Sequence, residues 1–158
     1  MSQTTADPRP ALPDGFARAL MDRMPDAVVY ADAAGVVRYW NTGAERMFGF
    51  SAAEAIGRTL DLIIPESLRG RHWDGYRHTM ATGESRYGAG DLLSVPAVRK
   101  DGSRLSVEFT IVPFPAPGGQ MLGIAAVMRD VTARFEELRR LRKLLSVPPA
   151  AQPPAGVG

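Results

Sequence analysis

Two β-rich blocks at opposite ends of a helical middle constrain this chain more than any other feature. In the first, "AVVYAD" (27–32) and "VVRYWN" (36–41) are β-branched and aromatic runs meeting at "DAAG", a turn with Gly35. They read as a hairpin. The second block, "LLSVPAVRKDGSRLSVEFTIVPF" (92–114), turns at Lys100–Asp101–Gly102. After it, Leu105, Val107, Phe109 and Ile111 alternate with Ser106, Glu108 and Thr110, so one face of that strand is buried. "PAPGGQ" makes another turn and "MLGIAAVMRDV" a last strand. Hairpins at both ends predict one five-stranded antiparallel sheet with helices on one face, an α+β fold.

The middle carries helix punctuation. Asn41 is a good N-cap before "TGAERMFGF", where Glu45 favours the first turn. Ser51 and Glu54 form a capping box for "SAAEAIG", which Gly57 ends. Pro65 stands at the first turn of a longer helix expected to stop at Gly83. "YGAGD" reads as a loop before a strand. Before the first hairpin, Leu12, Phe16, Leu20 and Met24 recur every fourth residue, the mark of an amphipathic helix. At the other end "TARFEELRRLRKLL" from Thr132 puts Phe135, Leu138, Leu141 and Leu145 in a narrow apolar stripe, as in a short coiled coil or docking helix. Residues 1–13 and 146–158 are polar or Pro-rich and are expected to be a disordered arm and tail. The folded unit is then 14–131, with 132–145 as an exit helix.

Several functions fall away on composition. With 158 residues the chain holds one ordinary domain. It has no cysteine, which removes disulfides, thiol catalysis, thiolate metal sites and cysteinyl-flavin photochemistry. The net charge of +2 is spread rather than gathered on one face, so nucleic acid is not the expected partner. No signal peptide and no stretch long enough to span a bilayer is visible, so no membrane partner is expected and the expected location is the cytoplasm. There is no phosphate loop, nucleophile elbow or metal-spaced carboxylate cluster, and no enzyme activity is expected.

In this order the stretches "MPDAVVYADAAGVVRYWNTGAERMFGFSAAEAIGRTL", "RKDGSRLSVEFTI" and "GIAAVMRDVTARFEELRRL" resemble the PAS sensory domain over residues 14–145. The resemblance implies a signal-input module. It implies a small-molecule ligand or cofactor held between sheet and helices, or a homodimer, and a change passed to the C-terminal helix. An effector kinase or regulator would read that change. Asp130 and Thr132 match the family's Asp-x-Thr junction. A strand's last residue and a helix N-cap sharing polar side chains would reorient the exit helix when the sheet distorts.

The helix after Pro65 holds both histidines of the chain, His72 and His78. Six residues apart, they lie about 240° apart around a helix and cannot share a two-histidine metal site. His72 and Tyr76 do share a face, which makes Tyr76 a further candidate for contact with a bound cofactor. "IPESLRGRHWDGYRH" is similar to the matching helix of haem-binding PAS oxygen sensors. That resemblance implies His72 as axial ligand to haem b, with Ile63, Ile64, Leu92, Val95, Ile111, Ile124 and Ala126 lining the pocket. Gly123, Ala125 and Ala126 are small and are expected to leave room inside. The chain departs from those sensors by an extra residue between His72 and Tyr76. Leu92 or Leu93 stands where they carry a distal Arg or Met, so an apolar distal side lacks the hydrogen-bond donor that stabilises bound oxygen. Two readings stay open: a ligand-gated sensor, with haem the leading ligand, and a cofactor-free PAS dimer held by the two terminal helices. A chain ending soon after the exit helix is expected either to work through a partner or to be part of a larger sensor.

Overall fold

A computed structural model describes residues 11–84 and 93–146. Its elements run α1 (Phe16–Arg23), β1 (Ala27–Asp32), β2 (Val37–Trp40), α2 (Thr42–Phe48), α3 (Ala52–Ala55), a 3-10 turn at Leu60–Leu62, α4 (Glu66–Thr82), β3 (Leu93–Val98), β4 (Arg104–Pro115), β5 (Met121–Asp130) and α5 (Thr132–Leu145). The strands form one five-stranded sheet in the order β2-β1-β5-β4-β3, antiparallel at every pairing. The two terminal blocks meet at its centre, where β1 pairs with β5 from Ala27↔Met128 to Asp32↔Gly123.

Local chemistry explains the ends of the elements. Gly35 closes the β1–β2 turn at φ 76° and donates its N–H to the Asp32 carbonyl. Asn41 caps α2 by accepting the Ala44 N–H at 2.8 Å. The same oxygen accepts Val28 N–H, and the amide donates to the Met21 and Asp26 carbonyls, so one buried side chain ties α1, β1 and α2 together. Ser51 and Glu54 make the expected capping box. Pro65 is the N-cap of α4, one residue before the helix proper, and Gly83 ends that helix at φ 71°. The N-terminal helix is shorter than its periodicity implies: Leu12 lies ahead of it and Met24 is its C-cap.

Proline placement follows the pairing. Pro96 sits on the edge strand β3, and Pro113 on the part of β4 that extends past β3. Neither removes a donor that a central ladder needs.

The core lies between the inner face of the sheet and α2–α3, and extends to Met128 on β5, Leu105 and Val107 on β4 and Ala97 on β3. Ala27, Val29, Val37 and Trp40 meet Ala44, Phe48, Phe50 and Ala55, and Trp40 tilts onto Phe48 with ring centroids 5.5 Å apart. Gly43 has no alternative there: a Cβ would stand 2.2 Å from the Asp26 carbonyl oxygen. Each fully buried aromatic or branched side chain in this cluster contributes about 1.5–3 kcal/mol.

Candidate functional site

Helix α4 presents His72, Tyr76 and Thr79 on one stripe, at the i, i+4, i+7 spacing of a single face. Tyr76 and Thr79 are buried, His72 is half-buried and His78 is exposed. The stripe is anchored to the first hairpin. The Tyr76 hydroxyl donates to the carbonyls of Asp32 at 2.6 Å and Ala31 at 3.2 Å. Trp73 donates its indole N–H to Asp61 at 2.8 Å and lays its ring over Gly35, where a Cβ would stand 2.2 Å from it. His72, Trp73 and Tyr76 form an aromatic cluster, with the imidazole 4.8 Å from the indole and 5.8 Å from the phenol.

Within that cluster His72 Nδ1 is buried and has no hydrogen-bond partner. Burial pushes the imidazole below its ordinary pKa, against an upward pull from Asp61. The ring is therefore held neutral, the form that can ligate a metal. Burial, and secondarily the nearby Asp32, hold the Tyr76 phenol above its usual range, so it stays a donor.

The sheet opposite is not uniformly closed. On β4, Leu105 and Val107 are buried while Phe109 and Ile111, two and four residues further on the same face, are only half-buried. Their neighbours Ala126 and Ile124 on β5, and Leu93 on β3, are half-buried too. The register brings Ile111 directly opposite Ala126, which faces Val29 on its other side.

The predicted lining set is thus partly assembled. Ile111, Ile124, Ala126 and Leu93 share this inner face. Ile63 is buried and Ile64 packs against the core, with the Ile63 carbonyl accepting Val98 N–H. Ile64 also borders an open cleft of about 550 Å³ between the start of α4 and Val98–Arg104, which holds none of the other predicted lining residues. Val95 is not enclosed: it lies on the edge strand at 39% exposure. Leu92 falls outside the described residues. The small residues of β5 need a second correction. Gly123 and Ala125 belong to the opposite face, with Tyr30 and Phe114. A Cβ on Gly123 would stand 2.1 Å from the Ala31 carbonyl oxygen and 2.7 Å from the Tyr30 hydroxyl, so its smallness admits Tyr30 rather than leaving room inside. Ala126 alone of the three is on the inner side.

At the junction with α5, Thr132 is the first helical residue rather than the N-cap, which is Val131. Asp130 Oδ1 accepts both the Thr132 N–H at 2.9 Å and its hydroxyl at 2.5 Å, while the Thr132 hydroxyl oxygen accepts Ser106 N–H at 3.0 Å. Burial opposes the charge on Asp130, but the bonds from Thr132 and Arg99 outweigh it and hold the carboxyl below its usual range.

Residue-type reasoning missed Asp61, Gly35 as the seat of Trp73, and Arg99. Asp61 sits in an apolar run with no pattern to mark it. Arg99 adjoins a recognisable turn, but its partners are as distant in the chain as Met47 and Asp130.

Among the described residues no helix is long and apolar enough to cross a membrane, and no group of three or more His, Asp or Glu could hold a metal.

The sequence profile of the family described as "PAS fold" matches residues 21–136. An uncharacterized protein of Azorhizobium caulinodans is 36% identical over 128 residues, 80% of this chain and 17% of its own length. The sensor protein FixL of Bradyrhizobium diazoefficiens is 30% identical over 82% of this chain and 25% of its own length. The oxygen sensor protein DosP of Escherichia coli is 28% identical over 82% of this chain and 16% of its own length. The chain thus spans a quarter or less of the length of these relatives. Among solved structures, the PAS domain of a Colwellia psychrerythraea protein superposes with a TM-score of 0.66 at 24% identity, covering 75% of this chain and 97% of that one. An RNA-binding light-oxygen-voltage receptor gives 0.67 at 25% identity, over 90% and 41%. The chain belongs to the PAS fold family, and two of its curated relatives, FixL and DosP, are sensor proteins.

Proposed function

We propose that this PAS domain is a cytoplasmic signal-input module without catalytic activity. It takes a flat apolar ligand, haem b first among candidates, between the α4 stripe and the half-open inner face of β3–β4–β5. The observation that carries the reading is His72. A neutral imidazole with a buried, unpartnered nitrogen stands on the sheet-facing stripe of α4, in a domain whose sheet leaves apolar side chains half-covered. His72 would supply the axial nitrogen, and Ile111, Ile124, Ala126 and Leu93 the apolar contact. When bound, haem supplies an iron centre for a diatomic gas. Tyr76 and Trp73 keep the helix seated on the first hairpin. Leucine near the distal position supplies carbon rather than a donor, which fits a gas held without a hydrogen bond. Asp130 and Thr132 pass the change into α5, for a kinase or regulator to read.

Titration with haemin is the test. The account expects a Soret band with saturable 1:1 binding, lost in His72→Ala and kept in His78→Ala. A colourless protein, or a band untouched by His72→Ala, overturns it.

A second reading has its own support. Phe16, Leu20 and Met21 on α1 and Phe135, Leu138 and Leu141 on α5 are exposed apolar residues. They suit a cofactor-free homodimer. PAS sensor domains commonly dimerise, and both properties can coexist. Sedimentation of Leu138→Glu against the unaltered chain separates them: a loss of dimer with haemin binding intact makes the helices a dimer contact independent of the ligand site.

A further inference from the structure

We propose that Arg99 is a positioning residue that relays displacement of the α2 end to the first turn of α5. The proposal rests on the reading that α5 carries the signal out of the domain, and it adds the input side of that connection.

Arg99 follows β3 at the start of the β3–β4 turn. Its guanidinium serves three acceptors from three parts of the chain. Nε donates to the Met47 carbonyl at 3.1 Å, one Nη to Ser103 Oγ at 3.4 Å and the other to Asp130 Oδ2 at 2.8 Å. Asp130 divides its carboxylate between the two sides, Oδ2 for Arg99 and Oδ1 for the N–H and hydroxyl of Thr132. The link from α2 to α5 is therefore continuous through two side chains. It is doubled on the input side, where Lys100 N–H donates to the Phe48 carbonyl at 2.9 Å and its ammonium pairs with Glu54.

The input end sits where the core would move it. Phe48 is fully buried and Met47 packs against the core, so anything that repacks the space under the sheet shifts these carbonyls. The Met47 and Phe48 carbonyls lie at the C-terminal end of α2, where a cation is favoured. The output end has two other constraints, both from β4: Ser106 donates to Thr132 and accepts from Val131, and Glu108 pairs with Arg134 in the first turn of α5. Among the described residues, Arg99 is the side chain that joins this junction to the helical layer instead of the sheet. Its rigid fork matters, because a lysine offers a single point of charge and cannot hold Met47 and Asp130 together in fixed geometry.

Amide hydrogen exchange on the full chain tests the relay. Met47→Ala perturbs the core side of the link. In the otherwise unaltered chain it should change exchange in the first turn of α5 (Thr132–Glu136) by roughly fivefold or more, the lower end of ordinary coupling between sites. In an Arg99→Met background the same change should fall to under about twofold, with Arg99→Lys between the two. Amides of the β1–β2 hairpin should not distinguish these backgrounds. An equal response with and without Arg99 overturns the relay and leaves α5 as the exit. No response of α5 to Met47→Ala or to haemin in the unaltered chain removes both.

Discussion

The two halves of the sheet are built differently. At the β2–β1 end, Val29, Val37 and Trp40 are sealed against Phe48, Ala44 and Ala55, each at most 4% exposed. Leu105 and Val107 on β4 and Ala97 on β3 extend that seal, whereas further along the same inner face Phe109, Ile111, Ile124 and Leu93 are only half-covered. One half uses its apolar surface up in folding. The other leaves part of it uncovered. The difference separates the part of the face that carries stability from the part to which the proposed ligand is assigned. Changes in the closed half should unfold the protein, and changes in the open half should alter what it binds.

The sharpest way to break that contrast is a pair of truncations. Phe48→Ala should cost about 3–5 kcal/mol, whereas Phe109→Ala should cost roughly 1–2 kcal/mol, both by urea denaturation. Equal costs would abolish the distinction. Asn41→Ala comes next. It strands the buried Val28 and Ala44 N–H groups and should cost on the order of 2–3 kcal/mol by the same assay. Enlargement then asks the opposite question. Val29→Phe should overpack the closed half and lose about 1–3 kcal/mol. Ile111→Phe should leave stability within about 1 kcal/mol and weaken haemin binding about tenfold, or about 1.4 kcal/mol, by absorbance titration. The smallest effect is a pH dependence. The folded pKa of His72 lies below its unfolded value of about 6.5, so the unfolded chain binds more protons between the two. Stability should therefore fall as pH drops below about 6.5 through the folded pKa, and stay flat above. His72→Gln should remove that slope in thermal melts from pH 5 to 7.5, measured without haemin.

Much of this architecture is legible in the sequence. The hairpins, the capping box, the Gly35 and Gly102 turns and the end of α4 at Gly83 all came from local chemistry that acts within a few residues. Alternation along β4 identified the inward face correctly. It could not show that burial fades from Val107 to Ile111, because that depends on how far α2, α3 and α4 reach across the sheet. Small residues on β5 misled for a related reason. Gly123 and Ala126 look alike as missing bulk, but period two puts them on opposite faces, and Tyr30 takes the space at Gly123. Thr132 looked like a cap because Thr often is one, yet its hydroxyl is committed to Asp130 and Ser106. Arg99 was the hardest to see: an arginine beside a turn declares nothing until the fold brings Met47 and Asp130 to it.

The central claim is that ligand occupies the open half of the inner face, beneath His72. Methyl and amide NMR shifts on adding zinc protoporphyrin IX, a diamagnetic stand-in for haem, test it most directly. The account predicts the largest perturbations at His72, Ile111, Ile124 and Ala126, with Val37 and Ala55 nearly still. Shifts gathered on the outer face at Val112 and Phe114, or none at saturating porphyrin, would contradict it.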